Sequence, residues 1–384
     1  MTRVHWFSPL LPDATDIGHF TGRVLLELAK HCEVTLWTET QEPDRAILPD
    51  IEVRTFDPTR PDYSVLNRGA IVYNLGNNGP FHAGILAMSQ RVRGTVILHE
   101  ADLQGLFLYV WLKQDRTGAR YINYMRRTYG PLAECFAKAR LRGIRLDDLA
   151  YKYPVVQPAL TNAIGVISHT NQVTACAFEA NLPCLQLNLP FSAGEATPRR
   201  IRLGPIRLVQ FGYLNPHRKL DEIFDAIHRH PSKNDFRFTI FGQLWNAAHV
   251  MERIRSLGLQ EIVDLKGFVD EASLDQAIAD ADLVFNMRFP TIGEASGTQL
   301  RVWRNGAPSV VTKEGWFGDL PDDAVLKISH GDEANALAEI LDKLKRDRQC
   351  FDGLAARGKE VLRASHDPGE YAKSLLAFVN RLQF

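Results

Sequence analysis

The chain has 384 residues, more than one compact core usually holds, so two α/β domains are the expectation. Its 45 basic and 45 acidic side chains cancel, which argues against a protein that coats nucleic acid, and 45% hydrophobic residues without low-complexity tracts argue against disorder. Five scattered cysteines (Cys32, Cys135, Cys176, Cys184, Cys350), none in a C-x-x-C pair, argue against a disulfide scaffold or a zinc site.

The chain opens directly on a strand-like run, without the charged head and apolar core of a secretory signal, so a cytoplasmic location is expected. Short β-branched runs then alternate with amphipathic stretches. Strands are predicted at residues 4–8, 33–38, 70–74, 95–99 and 163–168, with helices over 20–30 and after Thr170. That alternation is the mark of parallel strands joined by helical crossovers. Residues 192–205, SAGEATPRRIRLGP, lack hydrophobic periodicity and read as a linker. Beyond them the pattern restarts, with strands at 206–211, 236–241, 262–265, 283–286 and 308–312 and helices from Arg218 and near Ala247. The domains expected are 1–195 and 205–366, with a terminal helix in 367–384 that packs on either half.

Neither half opens on G-x-G-x-x-G, and no P-loop occurs. Ligands of open α/β sheets nevertheless bind at the C-terminal ends of the strands, so the residues there are the candidates. The segment PTIGEASGTQLRVWRNGAPSVV (residues 290–311) follows a strand and opens a helix at its glycines. Backbone N–H groups at such a turn suit a diphosphate, and Glu294 would accept from sugar hydroxyls. The competing account is that Glu294 and Ser296 only cap the helix. In FGYLNPHRKLDEIFDAI, Arg218 and Lys219 stand at the start of a helix, where cations oppose the helix dipole unless an anion is shared. A solvated pair of surface charges is the alternative.

These segments resemble, in order, the motifs of the GT-B fold glycosyltransferases of family 4, retaining enzymes that use nucleotide sugars. PTIGEASG resembles the family's P-S-x-x-E-G-F-G, NGAPSVV its C-G-x-P-V-V and FGYLNPHRK its G-R-L-x-x-x-K-G, while FSPLLPDATDIGHF, YNLGNNGPFH and VILHE resemble segments of the first domain. The resemblance spans nearly the whole chain. It implies two Rossmann-like doubly wound domains facing a cleft, an N-terminal domain for the acceptor and a C-terminal one for the donor. It implies that Arg218 and Lys219 hold the diphosphate of a GDP- or UDP-sugar, that Glu294 and His99 contact the transferred sugar, and that Ser296, Gly297 and Thr298 present backbone donors. Gly212, Gly242, Phe268 and Val269 would lie near the nucleoside.

Two positions depart from the family. Its second glutamate, which holds ribose hydroxyls, has no counterpart: Arg301 and Val302 stand there instead, and Arg301 is taken as lining the nucleotide site. Tyr213 stands where the family has an arginine. Asp16, Gly18, His19 and His82 are the acceptor candidates, from the first strand-to-helix loop and beside a later strand end. For His82 a structural hydrogen bond, and for Asp16 a helix cap, are the competing accounts.

Asp280-Ala-Asp282 spells the D-x-D of metal-dependent transferases, but it precedes a strand, at the wrong end of the sheet, so no metal or other cofactor is expected. Asp147-Asp148 likewise lacks a ligand context. Residues 113–152 hold ten Lys/Arg against four Asp/Glu among tyrosines, which suits peripheral contact with an anionic membrane or a lipid-diphosphate acceptor, a solvated helical insertion being the alternative. The activity expected is retaining transfer of a sugar to a glycan or lipid-linked oligosaccharide, without a nucleic-acid partner. A non-catalytic binding protein of the same fold, or a sugar-nucleotide epimerase, is the alternative.

Overall fold

A computed structural model of the protein describes all residues except 1–2, 14, 45–47, 61–63, 67–68, 145–150, 196, 199–202 and 383–384. Asp147-Asp148 and part of the 192–205 stretch therefore lie outside the described residues. The chain divides into two compact units: residues 1–190 with 292–295 and 368–384, and residues 191–291 with 296–367.

The first unit runs β1 (Arg3–Phe7), α1 (Asp16–Leu28), β2 (Glu33–Thr38), β3 (Glu52–Thr55), β4 (Ala70–Leu75), α2 (Gly79–Ser89), β5 (Gly94–Leu98), α3 (Gln104–Asp115), α4 (Ala119–Tyr129), α5 (Pro131–Leu141), β6 (Ala163–Ser168), α6 (Asn171–Glu179) and β7 (Cys184–Gln186). The strands form one sheet in the order β3-β2-β1-β4-β5-β6-β7, and every pairing is parallel. β4 and β5 are buried at every position, as helices on both faces require. α1 begins at Asp16, four residues before the predicted start, because Thr15 caps it by accepting from the Ile17 N–H. Asp16, Gly18 and His19 therefore belong to a helix rather than to a loop.

In the 113–152 region the helices are present, but their aromatic residues mostly face inward. Tyr121 and Phe136 are core, and the Tyr121 hydroxyl donates to Gln104 Oε1 at 2.7 Å. The exposed faces carry Arg116, Arg120, Arg126, Arg127 and Lys138 with Leu132. Exceptions are the exposed Tyr151, with Lys152 over its ring at 6.0 Å, and Arg140, whose NH1 donates inward to Gln104 Oε1 at 3.0 Å.

The second unit runs β8 (Ile206–Phe211), a 3-10 turn (Pro216–Arg218), α7 (Leu220–Arg229), β9 (Phe236–Phe241), α8 (Ala247–Ser256), β10 (Val263–Gly267), α9 (Glu271–Asp280), β11 (Leu283–Phe285), α10 (Gly297–Arg304), β12 (Ser309–Thr312), α11 (Gly315–Asp319), β13 (Leu326–Ile328), α12 (Glu333–Arg346) and α13 (Asp352–Ser365). Its parallel sheet has the order β10-β9-β8-β11-β12-β13. A last helix, α14 (Pro368–Arg381), packs on α1 in the first unit. Both sheets are doubly wound. In each, the order reverses between the first and fourth strands, β1 with β4 and β8 with β11, where a ligand crevice opens at the strands' C-terminal ends.

Asp280 and Asp282 lie at the opposite edge, where α9 ends and β11 begins. The Asp282 carboxylate is fully buried and accepts from the Arg207 N–H at 2.8 Å and from the Arg348 guanidinium, which also donates to the Gly204 and Pro205 carbonyls. It is a structural tie. Replacing Asp282 by Ala should destabilise the second unit by about 3–5 kcal/mol, because a buried ion pair loses one partner. A thermal unfolding scan should show that unit's transition moved down, while nucleotide affinity well below the new midpoint stays as in the parent.

Candidate functional site

At the crevice of the first unit a single side chain organises the strand ends. Asn74, the fifth residue of β4, is fully buried, and its Nδ2 donates to the Phe7 carbonyl of β1 at 3.2 Å. Its Oδ1 lies 3.1 Å from His99 Nε2, just past β5, and its backbone carbonyl lies 3.1 Å from His82 Nδ1 on α2. His82 and His99, candidates for different roles, thus share one asparagine. The His99 ring meets the edge of Phe20 at 4.9 Å between centroids and stands 5.3 Å from His169, whose Nε2 is 2.9 Å from the Tyr371 hydroxyl on α14. His82 Nε2 faces the turn at Gly76, where a Cβ would come within 3.1 Å of it and 2.6 Å of Ile17. Asp16 and His19 are exposed on the first turn of α1, and Gly18 faces the Leu10–Leu11 backbone.

The crevice of the second unit is built in the same way. Asn286 follows β11, is fully buried, and accepts from Arg218 NH1 at 2.9 Å. Its Nδ2 donates to Gln299 Oε1 at 3.0 Å and lies 3.4 Å from Ser296 Oγ. Gln299 in turn donates to Ser309 Oγ on β12, and Gln210 on β8 donates to the Arg218 carbonyl, both at 2.8 Å. Arg218, itself buried, is therefore held by a neutral amide at the level of the α10 N-cap. Its NH2 would lie 3.2 Å from a Cβ at Gly212.

Lys219 departs from the expectation. It precedes α7 as a left-handed residue, φ 59°, in the place of the family's glycine. Its ammonium is 3.0 Å from Glu222 and 3.4 Å from the buried Glu333, and sits over the Phe289 ring at 5.5 Å. The anion that the helix-dipole argument asks for is supplied by the chain's own carboxylates, and Phe289 also stacks on His330.

Ser296 caps α10, accepting from the Gln299 N–H at 3.2 Å, so the N–H groups of Gly297 and Thr298 are the first two of a helix, which have no intrahelical acceptor. Glu294 belongs with residues 292–295 to the first unit. That segment is tied there by the Ala101 N–H donating to the Ile292 carbonyl and by the Thr170 hydroxyl donating to the Gly293 carbonyl, each at 2.8 Å. Gly293, φ 83°, leaves no room for a Cβ, which would come within 2.5 Å of the Ala101 methyl. The buried Glu294 carboxylate accepts from the Ile292 N–H at 2.8 Å. Arg301 is bound to α9, with its Nε 2.7 Å from Asp275 and its NH1 2.7 Å from Glu271.

β8 and β9 are each followed by a positive-φ glycine, and β10 ends in one, with an exposed aromatic residue shortly beyond each. Gly212, Gly242 and Gly267 have φ of 112°, 100° and 62°, and a Cβ on Gly242 would come within 2.2 Å of the Gly212 carbonyl oxygen. Tyr213, Trp245 and Phe268 project beyond them, Phe268 at 82% exposure, while Val269 packs back onto the sheet. Trp245 is the member that sequence reading missed. The signal available was the repeated Phe-Gly at 211–212 and 241–242. Among the described residues, no group of three or more His, Cys, Asp or Glu side chains is placed to hold a metal ion.

No family model matches the chain, and no curated protein matches it in sequence. Among solved structures it is similar to Anabaena HepE in complex with UDP-glucose, at 14% identity and a TM-score of 0.67 over 98% of this chain and 100% of that one. It is similar also to the sucrose-phosphate synthase of Thermosynechococcus elongatus, at 14% identity and a TM-score of 0.66 over 100% and 99% of the two chains. WaaG, a glycosyltransferase involved in lipopolysaccharide biosynthesis, matches at 14% identity and a TM-score of 0.61 over 97% and 98%. The chain has the two-domain GT-B fold of these glycosyltransferases.

Burial pushes the His82 imidazole down to about 4, and burial, aided by His169 and His82, holds His99 well below the ordinary value of 6.5. Above pH 6.5 both rings are neutral in the folded and unfolded states alike, and the depressed values cost no stability. As pH falls below it, the unfolded chain takes up protons that the folded one refuses, at about 1.4 kcal/mol per unit and group. For His82 the loss totals about 3 kcal/mol between pH 6.5 and 4 and then levels off. Thermal midpoints measured across that window should therefore fall, and His82→Gln should flatten the fall. A His82→Gln profile parallel to the parent's would contradict the assignment.

Proposed function

We propose that the chain is a retaining glycosyltransferase that moves a sugar from a nucleotide-diphosphate sugar to a glycan or lipid-linked acceptor. The observation that carries this reading is the cradle of the second unit, where buried Arg218 and the Ser296-capped start of α10 share Asn286 as a partner. A guanidinium and helix N-terminal amides converging at a strand-switch crevice form a site for a diphosphate. The HepE complexes with UDP and with UDP-glucose support a nucleotide-sugar donor, a GDP- or UDP-sugar. Gly212, Gly242, Phe268 and Val269 are assigned to the nucleoside.

In the reaction the bond from the anomeric carbon to the diphosphate breaks, the acceptor hydroxyl oxygen bonds to that carbon on the same face and passes its proton to the leaving phosphate oxygen, on which negative charge grows. Arg218 and the Gly297 and Thr298 amides stabilise it. Glu294 and His99 are assigned to the transferred sugar, as acceptor and positioning groups, and Asp16, Gly18, His19 and His82 to the acceptor side. Lys219 contributes by holding the loop, its charge being met by Glu222 and Glu333. No step uses a metal ion. Arg301, bound to Asp275 and Glu271, is assigned to the lining of the nucleotide site.

Calorimetry tests the pocket. Arg218→Ala should weaken binding of the free nucleoside diphosphate about 10- to 100-fold, the worth of charge-assisted hydrogen bonds, and slow transfer as well. Glu294→Gln should bind the free diphosphate as the parent does and lose sugar transfer. Equal loss of both ligands by Glu294→Gln, or normal diphosphate binding by Arg218→Ala, would refute the assignment, and turnover lost in EDTA and restored by magnesium would refute metal independence.

The exposed arginines of α4, with Lys138 and Leu132 on α5, are assigned to peripheral contact with anionic lipid. Among the described residues no helix is long and apolar enough to cross a membrane. In vesicle sedimentation at low salt, binding should require anionic lipid and weaken as salt is added. Equal partitioning onto neutral vesicles would leave these helices as a solvated insertion.

A further inference from the structure

The hydrogen bonds around Asn74 determine where its two histidines carry their protons. Phe7 O is a carbonyl and can only accept, so the Asn74 atom 3.2 Å from it is the donating Nδ2, and the amide oxygen is turned to His99. An amide oxygen can only accept, so His99 Nε2, at 3.1 Å, must donate. By the same logic His82 Nδ1 donates to the Asn74 backbone carbonyl. One residue therefore imposes opposite tautomers on two rings: one through its side chain, the other through its backbone.

We propose that Asn74 is a positioning residue that fixes His99 as the Nε2–H tautomer, so that the ring offers Nδ1 to the sugar site as a hydrogen-bond acceptor and never as a donor. The selected partner is then a hydroxyl that donates, which discriminates against a donor sugar carrying only an acceptor at that position. The inference rests on the assignment of His99 to the transferred sugar.

The surroundings keep the ring in this state. The titratable groups facing His99 are His169 at the end of β6, His82 on α2 and, behind His169, Tyr371 on α14, whose hydroxyl burial holds well above its ordinary range. The neighbouring Glu100 directs its carboxylate to the Asn77 N–H. Phe20 packs against the ring in a T-shaped contact.

The test begins with the unmodified chain. In protein labelled with nitrogen-15 histidine, His99, identified through His99→Gln, should show a protonated Nε2 and an unprotonated Nδ1 from neutral to mildly acidic pH. An Nδ1–H form, a mixture of tautomers or an imidazolium near neutrality would overturn the proposal. Asn74→Asp keeps an oxygen before Nε2 but adds an anion, which should draw a second proton onto His99 and turn Nδ1 into a donor. Sugar transfer should then fall by at least about tenfold at neutral pH and recover as the pH is raised, a dependence the parent lacks. His82 is the internal control: held by the backbone carbonyl, it should keep its Nδ1–H signal in Asn74→Asp. A parent-like pH profile in Asn74→Asp, or equal displacement of both histidine signals, would also overturn it. Binding of UDP alone should not change, since its assigned ligands lie in the second unit. If no donor sugar is ever transferred, the labelled spectrum still decides the tautomer, and only the assignment to the sugar falls.

Discussion

The constraint on which the rest depends is the reversal of strand order between the first and fourth strands of each sheet. Crossover helices cover both faces of a parallel sheet, but at the reversal they leave in opposite directions and uncover the C-terminal ends of β1 and β4, and of β8 and β11. A crevice there exposes strand-end carbonyls and amides that helices cannot satisfy. In this chain each crevice is floored by one buried asparagine on the fourth strand or just beyond it. Asn74 ties β4 to the Phe7 carbonyl of β1, and Asn286 ties the end of β11 to the Arg218 turn that follows β8. An amide suits this work because it gives and takes hydrogen bonds without bringing a charge into a low-dielectric interior.

The charged groups follow from those floors. Arg218 can be buried because its fork finds an amide oxygen there, and because Gly212 has no Cβ to crowd its NH2. Lys219, one residue on, is a compact ammonium that gains most from carboxylates, and Glu222 and Glu333 provide them. Adjacent cations thus find different partners, an amide for Arg218 and two carboxylates for Lys219. The histidines show the same division. Neutral rings can be packed among Phe20, His169 and Tyr371 where imidazolium ions could not, so burial and hydrogen-bond direction act together to set their chemistry.

Glu33–Thr38, Ala163–Ser168, Ile206–Phe211 and Phe236–Phe241 match the sequence reading residue for residue, and the fully buried Ala70–Leu75 and Gly94–Leu98 match it to within one residue at either end. Glu52–Thr55, Cys184–Gln186 and Leu326–Ile328 went unread because each is an edge strand of three or four residues, too short to show a periodic pattern. The site was legible where a motif is contiguous, as in Gly293 to Thr298. It was not legible where the partners are distant: Lys219 with Glu333, or His169 with Tyr371, which are 202 residues apart. The asparagines were hidden for another reason. In AIVYNL and LVFN an amide looks like a flaw in an apolar run, whereas a lone polar residue near the end of a buried parallel strand is what a crevice floor requires.

One motif is divided by the fold. In PTIGEASG, Gly293 and Glu294 belong to the first unit and Ser296 to the second, so two residues apart in sequence answer to different sets of packing forces. Ser296 is fixed by the helix it caps and by Asn286. Glu294 is fixed by its own Ile292 N–H, by the Thr170 hydroxyl on the Gly293 carbonyl and by the Ala101 methyl, against which only a glycine fits. Gly293 is therefore required by close packing as well as by its positive φ, and Thr170, which also caps α6, acts on the glutamate through the backbone without touching its carboxylate. Glu294 is thus oriented by residues of the first unit, and the chain passes between the units at the Thr291–Ile292 and Ala295–Ser296 peptides.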